Sequence, residues 1–125
     1  RFDRPIQPGA IGGHGPIRYP VTSYEPRRRV TFQFTAPRGF VGQHWFEVLP
    51  EGEAGALLRH TIDMKLTGSA LLYWPLVFRP LHDALVEDAL AKAQVALGEQ
   101  PRRVRWSAWV RLLRYVLTRR SGRRQ

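Results

Sequence analysis

Three histidines sit where the local pattern turns them toward an apolar surface: His44, His60 and His82. In residues 42–49, His44, Phe46 and Val48 alternate with Gln43, Trp45 and Glu47. In residues 56–66, Leu58, His60, Ile62, Met64 and Leu66 alternate with Arg59, Thr61, Asp63 and Lys65. Such period-two alternation marks strands with one dry and one wet face. A hairpin through 51–55 with Val48 opposite Leu58 sets His60 against Phe46 and His44 against Ile62. The two imidazoles are then diagonal neighbours, with backbones about 7–8 Å apart. Histidines gathered on a dry face can orient a polar group of a ligand, act as a general acid/base set or hold a metal. The plain alternative is that each is half-buried and hydrogen-bonded to backbone or water. Their spacing matches no metal motif, so no metal is expected.

Other reactive arrangements are missing from the sequence. No Ser/His/Asp triad can be argued. The acids Glu47, Asp63, Asp83 and Glu87 fall on outward faces, so no buried carboxylate pair is in view. Positive evidence for an enzyme is therefore lacking. The glycines of 12–15 have no following Lys-Ser/Thr and run into a strand rather than a helix, which removes the phosphate-cradling geometry. They are expected to supply a bend, at a cavity rim if there is one.

These residues need elements to position them. Phe2 and Ile6 suit an edge strand limited by Pro5 and Pro8, and Gly9, Gly12, Gly13, Gly15 and Pro16 predict irregular backbone. Strands are expected over 17–24, 29–35, 42–49 and 56–66, joined by short turns. After Gly68 the period changes to that of a helix. Pro75 and Pro80 disturb its start, so the regular helix is expected from about Pro80 to a stop at Gly98. Leu81, Leu85, Ala89, Ala93 and Ala96 form its apolar stripe, with His82 and Leu97 beside it. The expected class is α+β: a curved antiparallel sheet with one long helix on its dry face. Tyr19, Phe32, Phe34 and Phe46 lie on that face, mostly as core. Tyr73 and Trp74 read as a packed loop or as a gate for an apolar ligand, and Trp45 as a cover for the wet face or a partner contact.

Composition sets further bounds. The chain has 125 residues, 43% of them hydrophobic, which argues against wholesale disorder. It has no cysteine, so disulfides and thiol chemistry are excluded and a reducing, cytoplasmic setting fits. The longest apolar run, 70–78, is interrupted by Pro75 and falls short of the roughly 20 residues that span a bilayer. Of the formal charge of +10, +9 comes from nine arginines after residue 100, where there are no acids.

The motifs Gly12-Gly13-His14-Gly15-Pro16-Ile17-Arg18-Tyr19, Tyr24-Glu25-Pro26, Val30-Thr31-Phe32-Gln33-Phe34, Gly39-Phe40, His44-Trp45-Phe46, Leu58-Arg59-His60, Trp74-Pro75-Leu76 and Arg79-Pro80-Leu81-His82-Asp83-Ala84-Leu85 carry a resemblance. The chain resembles bacterial proteins of the START-like (SRPBCC, polyketide cyclase/dehydrase-like) superfamily over residues 2–97. The resemblance implies a helix-grip domain over 1–98, with a hydrophobic cavity between sheet and helix. It further implies binding of a hydrophobic or amphipathic small molecule, with Tyr19, Phe32, Phe34, His44, Phe46, His60, Ile62, Met64, His82 and Leu85 as lining and no cofactor. A cyclase/aromatase activity in the same cavity is the enzymatic alternative. That fold normally begins with a further strand and two short helices, so the N-terminal part is expected to be missing or the cavity more open.

Residues 99–125 then form a basic tail outside the resemblance. Trp106, Trp109, Val110, Leu113, Val116 and Leu117 recur at helical steps over 102–120, with Arg103, Arg111 and Arg114 off that face. Trp106, Trp109, Arg111, Leu113 and Arg114 are the expected docking residues. Three uses compete: a membrane-peripheral helix on anionic lipid, packing on this chain or on a second copy in a homodimer, and nucleic acid, which would waste the Trp/Leu stripe. Arg119-Arg120 and Arg123-Arg124 read as a solvated end.

Overall fold

The alternating segments pair into a single meander. A computed structural model of the chain describes residues 2–14, 16–101 and 104–121, with side chains for all but His14 and 117–121. Gly15, Arg103, Arg123 and Arg124, and the side chains of Leu117, Arg119 and Arg120, lie outside what is described. The class is α+β: a five-stranded antiparallel open sheet in the order β1-β2-β3-β4-β5, followed by helices. The strands are β1 (Ile11–His14), β2 (Ile17–Glu25), β3 (Arg29–Gln33), β4 (Phe40–Glu51) and β5 (Gly55–Leu66). The chain packs as two compact units, Arg1–Leu71 with the sheet and Leu72–Gln125 with most of the helical sequence.

Strand β1 corrects the expectation of irregular backbone over the early glycines. Ile11 pairs with Pro20, Gly12 with Tyr19 and His14 with Ile17. Pro20 is tolerated inside β2, and the register shifts just beyond it, between Val21 and Ser23. Phe2 bridges to Gly12, as an edge residue would, while Ile6 stays outside any strand and is exposed. Asp3 fastens this segment: its backbone N–H donates to Ile11 O at 3.0 Å and its Oδ1 accepts from Ile11 N at 2.7 Å. Gly12 is functional here because the Phe2 and Tyr19 rings occupy the space a Cβ would need, at 2.6 Å from it. Those rings close over Phe32, in a core centred on Ala10, Val21 and Phe32.

The β4–β5 hairpin follows the predicted register: Val48 opposes Leu58, Phe46 opposes His60 and His44 opposes Ile62. Twelve residue pairs run without a break from Phe40↔Leu66 to Glu51↔Gly55. At Gly42 the backbone takes φ +153°, and a Cβ would collide with the carbonyl oxygen of Asp63 and the Cα of Met64. A glycine is needed there for β5 to approach. Toward the hairpin tip, Val48, Leu57 and Leu58 become exposed, so burial is confined to the half of the hairpin near His44 and Phe40.

The regular helix begins beside Pro80 as expected, and shorter helical pieces precede it after Gly68. Ala70–Tyr73 form a short helix α1, Trp74–Phe78 a π-helical turn, and Arg79–Ala96 the long helix α2. The wide π turn is where Pro75 is accommodated without an amide hydrogen. At the far end Gly98 takes φ +80°, its N–H donates to Val95 O, and Glu99 N donates to Gln94 O, a Schellman stop. The stripe of α2 is shifted from expectation. Ala84 is buried while Leu85 and Ala89 are exposed.

A last helix, α3 (Ala108–Ser121), starts later than the predicted 102. Ser107 sets the start: its Oγ accepts from Val110 N at 3.2 Å, the usual N-cap geometry. Replacing Gly42 with alanine should cost about 2 kcal/mol or more, since the backbone must leave a strained dihedral as well as make room. A lowered chemical-denaturation midpoint at unchanged slope would show it, and the drop should exceed that of Gly52→Ala, where φ is also positive at +62° but the space is open.

Candidate functional site

His44 and His60 meet. From paired strands and two residues out of register, their rings approach until His44 Nδ1 lies 3.3 Å from His60 Nε2. His44 is buried, with 5% of its surface exposed. Its ring runs nearly parallel to Phe32 and Phe34, with centroids at 4.7 and 4.8 Å, and meets Tyr19 edge-on at 4.7 Å. His60 is half-buried and leans on Phe46, its register partner, at 4.5 Å. One imidazole therefore sits inside a cage of rings while the other lies at its margin. Phe40 closes the cage beyond Phe34, at 6.1 Å.

A hydrogen bond between two neutral imidazoles couples their tautomers. When His44 donates from Nδ1, His60 accepts at Nε2 and carries its proton on Nδ1; when His60 donates, the roles reverse. His60 can thus present a donor or an acceptor, as His44 dictates. Burial pushes the Tyr19 phenol above its usual range, so it remains a neutral hydroxyl at physiological pH.

Eight of the ten expected lining residues belong to the sheet unit: Tyr19, Phe32, Phe34, His44, Phe46, His60, Ile62 and Met64. By register they share one face, with Ile62 opposite His44 and Met64 opposite Gly42. His82 and Leu85 belong to α2 in the other unit. His82 is largely covered, 6.1 Å from the Trp74 ring and 3.3 Å from Asp83 Oδ1 through its Nδ1. Trp74 and Tyr73 stand on helical turns, which corrects the packed-loop reading, and Tyr73 is exposed. Among the described residues no group of three or more His, Cys, Asp or Glu is arranged to hold a metal ion.

The opposite sheet face holds a constellation the sequence did not disclose. Glu47 was expected to point into water; instead its carboxylate is mostly covered and accepts from Trp45 Nε1 at 2.9 Å and Arg59 Nε at 3.0 Å. Arg29, paired with Glu47 in the register, lays its guanidinium over the Trp45 ring at 4.5 Å. These donors hold the Glu47 carboxyl below the usual carboxylate range, Trp45 first and Arg59 second. The available signal was the cross-strand row Arg29–Glu47–Arg59, opposite charges on adjacent strands.

In the helical unit α3 lies along α2. Trp109 Nε1 donates to Leu76 O at 2.7 Å. Leu76 lies in the π-helical turn that leads into α2, between Pro75 and Pro80. The Trp106 ring carries the Arg114 guanidinium at 3.8 Å, and Arg114 reaches Asp88 at 3.6 Å. Arg114 is thus committed inward, against the expectation that it lay off the packed face. Of the other docking residues, Leu113 is half-buried, and Trp109 and Arg111 are exposed. A groove of 470 Å³ runs between the start of α2 and residues 104–110, lined by Arg79, Asp83, Ala84, Arg105, Trp106 and Val110 among others.

No protein-family model, curated protein or solved structure matches the chain.

Two titrations follow. Glu47 is held below its unfolded pKa, so it contributes stability above the ordinary carboxylate range, about 4.3, and loses it as pH falls through the folded value. Unfolding curves of Glu47→Gln should accordingly flatten on the acid side. Burial holds His82 below its ordinary value despite the opposing Asp83 carboxylate. The unfolded chain then takes up a proton first, and stability declines as pH drops below about 6.5. Tracking the His82 imidazole by NMR alongside unfolding in His82→Gln would check it, the variant losing less stability between pH 7 and 5.

Proposed function

We propose that the aromatic face of the sheet binds a hydrophobic or amphipathic small molecule, with the His44–His60 pair engaging its polar group. The observation that carries this reading is the imidazole contact of 3.3 Å within a set of rings. Taking two imidazoles out of water is costly, and larger apolar residues would serve a purely structural core better. A donor–acceptor pair at the edge of an apolar surface is the arrangement that orients a ligand whose body is apolar and whose head is polar. His60, the less buried of the two, meets the head; His44 is a positioning residue that fixes its tautomer. Phe46, Ile62 and Met64, all half-buried, offer the surface for the apolar body.

The finer fold assignment, a START-like helix-grip domain, belongs to the same proposal. It rests on the resemblance over residues 2–97, and proteins of that superfamily bind lipids, polyketides and other apolar molecules. The five-stranded meander followed by a helix over 70–96 supports it at the level of element order.

Native mass spectrometry of the protein purified from its own cells is the direct test, with a co-purifying apolar molecule the expected result. The His pair is tested with a fluorescent fatty acid and the matching hydrocarbon probe. His60→Phe should weaken the acid roughly tenfold, the worth of one charge-assisted hydrogen bond, and leave the hydrocarbon nearly unchanged. His44→Phe should shift the acid's pH dependence more than its affinity. Equal binding of both probes by wild type and both variants would overturn the role of the pair.

A further inference from the structure

We propose that α3 seats the protein on an anionic lipid surface through the side of the helix that α2 leaves uncovered. This stands apart from the small-molecule reading, since it uses no residue of the sheet. The apolar stripe of α3 is wider than its packing requires. Val110 is buried and lines the same groove as Ala84 of α2, and Leu113 is half-buried beside it. Trp109, Leu112 and Val116 follow at steps of three and four, share the adjoining flank of the helix, and are 47%, 51% and 43% exposed.

Charge selects the partner. The nine arginines after residue 100 have no acid among them, and Arg111 is exposed on the flank of the stripe. An indole with aliphatic neighbours, in a segment rich in arginine, fits the boundary between acyl chains and acidic headgroups: tryptophan sits at headgroup level and arginine meets phosphate. A second copy would bring one such basic segment against another. A nucleic acid would take the arginines and leave Leu112 and Val116 in water. Among the described residues no helix is long and apolar enough to cross a membrane, and a helix of this length suits the surface.

Flotation of the full chain with phosphatidylcholine vesicles, with and without phosphatidylglycerol, tests the proposal. The chain should float with the anionic vesicles and not with phosphatidylcholine alone, and high salt should weaken it. Leu112→Glu/Val116→Glu, at two exposed positions, should reduce vesicle affinity at least about tenfold, and Arg111→Glu should reduce it roughly fivefold or more. Absence of flotation, equal flotation with neutral vesicles, or no loss in the double variant would each overturn the idea. So would retention on DNA or on an acidic polypeptide without vesicle binding. Should circular dichroism show the double variant unfolded, the wild type decides: tryptophan quenching by acyl-chain-brominated phosphatidylglycerol supports the proposal, and its absence overturns it.

Discussion

The register of the β4–β5 hairpin is the constraint on which the sheet unit rests. A shift of β5 by one residue would send His60 and Ile62 to the wet face and Arg59 to the dry one, while β4 keeps His44, Phe46 and Glu47 in place through its pairing with β3. Both sets are held by specific partners, so each face resists the slip. On the dry side His60 meets His44 and leans on Phe46; on the wet side Arg59 donates to Glu47. Gly42 adds a steric reason, since the opposite strand passes where a side chain would stand. Two polar groupings on opposite faces thus depend on one pairing.

How much of this was legible depends on whether a signal repeats. Strands β2 to β5 announce themselves because apolar residues recur every second position, and the diagonal placement of His44 and His60 follows from arithmetic on one turn. Strand β1 does not, because Gly12 and Gly13 carry no side chain with which to alternate; it exists because Phe2 and Tyr19 need a flat backbone on which to lie. The burial of Glu47 escaped for a related reason. Its covering comes from Trp45 on its own strand and from Arg29 and Arg59 on its two neighbours, and alternation within one strand says nothing about cover supplied from outside it.

In the helical unit, composition was informative about kind and poor about direction. The Trp/Leu/Arg pattern identified an amphipathic helix, yet it ran the stripe together with residues that the structure separates. Trp106 precedes the helix and receives Arg114, whereas Trp109 lies within the helix and keeps half of its ring in solvent. Likewise the stripe expected for α2 ran through Leu81, Leu85, Ala89, Ala93 and Ala96, while the residue that is buried is Ala84, which lines the groove with residues 104–107 and Val110.

The π-helical turn has an effect that reaches beyond its own residues. Such a turn is usually counted by the helix it disturbs, yet here one of its carbonyls, that of Leu76, accepts from the Trp109 indole. The C-terminal helix is thus tied to main chain rather than to a side chain of the segment before α2. A main-chain oxygen is present whatever residue stands at that position, and drift among the arginines of the tail would leave the tie unchanged.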